Sequence, residues 1–390
     1  MRRCPVPLLP AAILAMIAPS AAAVTLHVPG DHPTIQAALA AASPGDVVEV
    51  ACGEYFEANL NMPSGVVLRS ATGDADCVTV NADGQERCIW VDMADASTQI
   101  EGLELVGAGG SGGGIYCFDS SRPEIRACRF ARNLTGGDGA GLVAAAGSAP
   151  HVVDCEFVDN RAIQGSSDLE RGGAIWSNYS QPVFEDCVVR RNGARIGGGA
   201  FAMNSEMTFI RCTLVDDYTP LQLGEHGMGG GAYGENTSWS FTDCRFVRNR
   251  AGLYGGASYL VGPGQVLMDR CTLVENSAFL GEGALALLAI EGDFVSCLFP
   301  RNEAITGRAG ALVVSATSSV IGCTFFGNRS PQDGSSIVWA SPDLTTTHTI
   351  IAGGRGGAGV YCLPRTFSRS RAATSSETRA AIGWTGWRIS

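Results

Sequence analysis

The sequence predicts an all-β parallel β-helix, a solenoid in which each coil of about 25 residues stacks on the last. Three observations predict it. Eight cysteines, Cys128, Cys155, Cys187, Cys212, Cys244, Cys271, Cys297 and Cys323, recur at intervals of 27, 32, 25, 32, 27, 26 and 26 residues. Five residues after each stands an amide or its acid: Asn133, Asn160, Asn192, Asp217, Asn249, Asn276, Asn302 and Asn328. Each Cys is also preceded by a Gly-rich entry into a short apolar run, as in Gly172-Gly173-Ala174-Ile175 and Gly198-Gly199-Ala200-Phe201. A unit this short with no helical period cannot bury its apolar face alone, so copies must stack, with equivalent strands about 4.8 Å apart. Each repeat position then becomes a column: thiols, large apolar groups from Phe130 to Phe325, and amides.

Composition agrees. Fifty-one of 390 residues are Gly and only 17% are charged; that Gly content is nearly twice the usual share of about 7% and lacks a collagen period. The 27 basic residues are all Arg, against 38 acidic ones, for a net charge of −11. A polyanionic partner such as nucleic acid is therefore excluded as an expectation, and so is chemistry that needs a Lys.

At the N-terminus, Met1-Arg2-Arg3, an apolar run from Val6 to Ile17 and the small residues to Ala23 have the layout of a secretory signal peptide. Cleavage after Ala23 would leave an exported chain without a transmembrane helix, secreted or held at the cell surface. Thr34 to Ala42 reads as a short helix that caps the first coil. The expected organisation is a signal peptide over 1–23, a cap with irregular first rungs over 24–111, regular repeats over 112–363 and an atypical tail over 364–390. The tail carries none of the repeat motifs; it is either disordered or read out of frame. The column is expected to extend at both ends, with Gly102 standing in for Cys upstream and His348 downstream.

The paired Gly-Gly-Ala-hydrophobic and Phe-x-x-Asn elements, intact at Phe130 to Asn133, Phe157 to Asn160, Phe246 to Asn249, Phe299 to Asn302 and Phe325 to Asn328, resemble the repeats of polymorphic outer-membrane proteins. The stretch from Thr34 to Glu57 is similar to the opening of pectin-lyase-like proteins. Both resemblances imply a right-handed β-helix. They imply function only broadly, because that superfamily spans adhesins, lyases and hydrolases.

Two readings of function follow. The first is a structural or binding module, adhesive or carbohydrate-contacting, whose partner is a polysaccharide or another cell-surface component. The alternative is a polysaccharide lyase or glycoside hydrolase. Its candidate acids lie in or beside two insertions, Arg161 to Arg171 and Tyr218 to Met228: Asp168, Glu170, Asp216, Asp217, Glu225 and His226. Two carboxylates about 5–10 Å apart would suit glycoside hydrolysis. No metal site or cofactor is expected, since no Cys-x-x-Cys or Cys/His cluster appears. The cysteine column is expected to be buried thiols, with disulfides as the competing reading for an exported chain, and the preferred bridge is Cys52 to Cys77, at turns one rung apart.

Overall fold

The computed structural model describes residues 22–110, 112–162, 170–221, 227–332, 334–341 and 344–362. Three parallel sheets run the length of the solenoid. Sheet I has 13 strands, from Thr25–Val28 to Leu344–Thr347; sheet II has 12, from Gly53–Tyr55 to Ile350–Ala352; sheet III has 12, from Leu60–Met62 to Val360–Cys362. The chain visits I, II and III in turn and then climbs one rung.

Strand chemistry sets which side faces in. In Val47–Val50 the apolar Val48 and Val50 are buried and Glu49 points out, where it meets Arg69. Period-two alternation of this kind, repeated on three sheets, fills the interior completely. The Phe column on sheet II stacks face to face, with Phe130 and Phe157 centroids 4.4 Å apart and Phe299 and Phe325 likewise 4.4 Å apart.

Corners are made by left-handed residues. Before each column Cys stands one residue near φ +50°, such as Asp186, Arg211, Asp243 and Arg270, and before each column Asn stands another, such as Arg191, Asp216 and Arg248. This conformation costs a non-Gly residue about 1–2 kcal/mol, which the pairing on either side must offset.

The same register corrects both expected column extensions. Arg129 pairs with Glu104 and Phe130 with Leu105, so Leu103 occupies the Cys position and Gly102, at φ +65°, is the corner residue before it. Downstream, Thr324 pairs with Ile350, so Thr349 occupies the column and His348, at φ +51°, is the corner. Thr349 Oγ1 donates to the carbonyls of Val320 and Thr347, as Cys323 Sγ does to those of Phe294 and Ile321. The repeat is anchored by the strand that follows the corner, and the end intervals, 25 residues from Leu103 to Cys128 and 26 from Cys323 to Thr349, lie within the range of the column itself.

The helix Ile35–Ala41 closes the first rung. Thr34 is its N-cap, accepting from the Ala37 amide at 3.1 Å, and Glu57 accepts from the next two free amides, Ile35 and Gln36, at 2.8 and 3.0 Å. A carboxylate there satisfies orphan donors and complements the helix dipole. Ile35, Ala38 and Leu39 are fully buried against the first coil. Cys52 and Cys77 are joined, with Cα atoms 4.5 Å apart.

Candidate binding face

The columns come first, because they account for most of the singled-out residues. All eight column thiols are free and buried. Each Sγ donates to two carbonyls, as Cys244 does to Phe209 and Thr242. Burial pushes the Cys155 thiol well above its ordinary range. These are small apolar groups that also finish the hydrogen bonding of a corner.

In the amide column, Asn133 Nδ2 donates to the Leu105 carbonyl and to Asn160 Oδ1, both at 3.0 Å, and the pattern repeats at Asn160, Asn249, Asn276 and Asn302. Asn328 closes the run by donating to Phe299. Asp217 interrupts it. Its Oδ1 accepts from the Asn192 amide and Nδ2 at 2.8 and 3.0 Å, while Oδ2 is buried without a partner among the described residues. Asn249 does not donate to Asp217. The Asn249 amide group is turned toward Leu214 and Asn276, and its Oδ1 accepts from the Asp217 backbone.

Among the described residues the candidate acids do not gather into one site. Asp217 lies inside the solenoid, whereas the neighbouring Asp216 points out and is held by both nitrogens of Arg248 at 2.8 Å. Glu170 is fully buried and paired with Arg195. Asp168, Glu225 and His226 lie outside the described residues, as do most of the segment expected to be a signal peptide and the tail after 362. Among the described residues no cluster of His, Cys, Asp and Glu could hold a metal, and no helix is long and apolar enough to cross a membrane.

Two clefts open on the outside. One, of about 390 Å³, lies on sheet II between Glu54, Asn81, Glu104 and Arg132. Its polar groups are committed to one another: Asn81 donates to Glu54 at 2.8 Å and Thr79 to Glu104 at 3.2 Å, while Arg132 lies 3.4 Å from Glu104. The corner charges follow the same rule, in rung-to-rung pairs such as Arg191 with Asp159 and Arg270 with Asp243.

The second cleft, of about 470 Å³, lies where sheet III turns into sheet I, and it is different in kind. Beneath it runs a buried hydroxyl column, Ser121, Ser148, Ser180, Ser205 and Thr237. Ser177 Oγ donates to Ser205 Oγ at 3.1 Å, the Ser180 amide donates to the same oxygen at 3.2 Å, and Thr237 donates to the Ser205 carbonyl. These bonds fix the turn. On its outer side, one left-handed residue per rung projects: Tyr179, Asn204 and Asn236, at φ +50°, +49° and +51°. Tyr179 is 64% exposed. The side chains of Tyr179, Gln181, Asn204, Glu206 and Asn236 have no hydrogen-bond or ion-pair partner among the described residues. The floor of this turn is fully bonded, whereas its rim carries uncommitted amides, a carboxylate and an open aromatic ring.

Sequence reasoning passed over this face. A signal was present: Ser121, Ser148, Ser180, Ser205 and Thr237 are spaced by 27, 32, 25 and 32 residues, the spacing of the first five column cysteines. It marks the turn, and the residue before each marks the rim.

A model described as a right-handed β-helix region matches residues 76–229. The fold is accordingly a right-handed parallel β-helix. Among solved structures, a pectate lyase aligns with a TM-score of 0.47 at 12% identity over 94% of both chains. A Geobacillus virus E2 gene product aligns at 0.38 and 11% identity, over 80% of this chain and 56% of that one. The A-module of a mannuronan C-5 epimerase from Azotobacter vinelandii aligns at 0.26 and 12% identity, over 84% and 91%. No curated protein matches the chain in sequence.

Proposed function

We propose that the chain is an exported, rigid polysaccharide-binding module that works at or outside the cell surface, and that it binds through the cleft at Tyr179, Asn204 and Asn236. The observation that carries this reading is the contrast between faces. Polar side chains at the corners and in the sheet II cleft pair with one another, whereas those on the rim of this cleft pair with nothing in the described chain. Sugars suit such a surface: their hydroxyls both donate and accept, and their apolar faces lie on aromatic rings. The signal-peptide layout and the resemblance of the repeats to surface-protein passengers support export.

The test is calorimetric titration of soluble glycans into the parent and into Tyr179→Ala. Loss of one stacking contact of about 1–1.5 kcal/mol should weaken binding roughly tenfold. Equal affinity of parent and variant for every glycan that binds would refute the assignment of the site.

A further inference from the structure

Resting on that reading, we infer that the ligand is an uncharged, linear polysaccharide that lies along the solenoid axis, one sugar ring per rung, from the cleft to an aromatic shelf on the outer face of sheet III.

The shelf is made by Trp90, Tyr116 and Phe118. Trp90 and Tyr116 ring centroids are 5.0 Å apart, Trp90 and Phe118 5.6 Å, and Tyr116 and Phe118 6.2 Å. Arg87 supports the shelf, its guanidinium 4.9 Å from both the Trp90 and the Tyr116 ring centroids. Phe118 is 36% exposed and its neighbour in the turn below, Met93, is 67% exposed.

Register places shelf and cleft on one line. Asp92 pairs with Phe118, Ala145 with Asn178, Asn178 with Met203, and Met203 with Glu235. The strand of Phe118 is itself paired with that of Ala145. The rim residues Tyr179, Asn204 and Asn236 each follow a member of this outward column by one residue. From the Phe118 rung to the Asn236 rung is four steps, about 19 Å. A pyranose ring linked through opposite carbons is comparable in length to one rung spacing of about 4.8 Å. A ligand laid along the axis therefore meets one rung per sugar, with only methyl groups at the Ala145 and Ala146 rung, whereas one crossing the axis meets a single rung.

Charge selects among polysaccharides. The path carries Asp92, Asp119, Glu206 and Glu235 against two guanidinium groups near its upstream end: Arg87, which already faces Glu86 at 3.1 Å as well as the two rings, and the exposed Arg122, in register with Gln181 and Glu206. A polyuronate would bring carboxylates against carboxylates. Hydroxyls, which can donate to each of these groups, complement the path without charge repulsion.

The test is a length series. Cello- and xylo-oligosaccharides of two to six units, and oligogalacturonates of the same lengths, are titrated into the parent, Tyr179→Ala and Phe118→Ala. Melting temperatures check that these exposed substitutions leave the fold intact. Affinity for a neutral series should rise with each unit and level off at about four or five units, set by the four-step path. Phe118→Ala should weaken the hexamer at least fivefold and leave the dimer unchanged, while Tyr179→Ala weakens both. Neutral binding that needs Tyr179 but is flat in chain length, or indifferent to Phe118, overturns the axial track and leaves the cleft standing. Tighter binding of oligogalacturonate than of either neutral series overturns the choice of ligand class. Binding that ignores Tyr179 overturns the site itself.

Discussion

Replacing Asp217 by Asn should stabilise the protein, and by an amount that grows with pH. Asp217 sits fully buried in a column where six of seven asparagines donate twice through Nδ2. Its own Oδ2, the counterpart of that nitrogen, has no partner among the described residues. Burial pushes its carboxyl well above the ordinary range, against the pull of the Asn192 hydrogen bonds, so the folded protein holds the acid neutral. Asn, with two N–H donors where the neutral acid has a single O–H, adds one hydrogen bond, worth about 1 kcal/mol. The second gain comes from linkage. The unfolded chain releases the Asp217 proton above about pH 3.9, whereas the folded chain keeps it until its raised pKa. Over that window the unfolded state binds fewer protons, so the parent loses about 1.4 kcal/mol of stability per pH unit as pH rises. Asn carries no such slope. Melts of parent and Asp217→Asn at pH 4, 5, 6 and 7 should therefore show the variant slightly ahead at pH 4 and pulling away toward neutrality. A gap that stays flat, or a parent that is the more stable at pH 6, would refute the neutral-acid reading and mean that a cation or ligand holds the carboxylate ionised. Repeating the melts with Ca²⁺ tests that alternative directly.

Three further outcomes are expected. Glu282, pushed up to about 7 by burial, should make the parent lose stability between about pH 4.5 and 7; Glu282→Gln should remove that loss, and a gap between the two melts that does not open in this window contradicts the assignment. Deleting residues 24–45 removes the capping helix and uncovers Val48 and Leu60, so size-exclusion chromatography should find aggregates where the parent is monodisperse; a soluble, folded deletion protein would contradict the capping role. Thiol titration of denatured, unreduced protein spanning the described residues should count eleven free thiols, the eight of the column with Cys88, Cys117 and Cys362, and leave Cys52 and Cys77 unreactive; a column found oxidised would contradict the buried-thiol structure.

The fold was legible because a solenoid writes its cross-section once per rung. Cys128 to Cys323 and Asn133 to Asn328 occupy corners that accept few side chains, and identical environments select identical residues. The ends were less legible. At Gly102 and His348 the column was misplaced by one residue, because the distance from one corner to the next is free to change while strand pairing is not. The acids were misjudged for a different reason. Asp216 and Asp217 are adjacent in sequence, but a left-handed corner at Asp216 sends one carboxylate to solvent and the other into the core. The binding face was the least visible part. Tyr179, Asn204 and Asn236 are equivalent in position and unlike in type, and only the hydroxyl column beneath them repeats. A surface shaped by a ligand has no reason to repeat a residue the way a packed corner does.

The most direct test of the account is a crystal structure of the chain soaked with the tightest-binding neutral hexasaccharide. The account predicts sugar density running parallel to the axis, with rings on Phe118 and Tyr179 and hydroxyls within hydrogen-bond distance of Asn204 and Asn236. Density confined to the outer face of sheet II, around Glu54, Glu104 and Arg132, would contradict it.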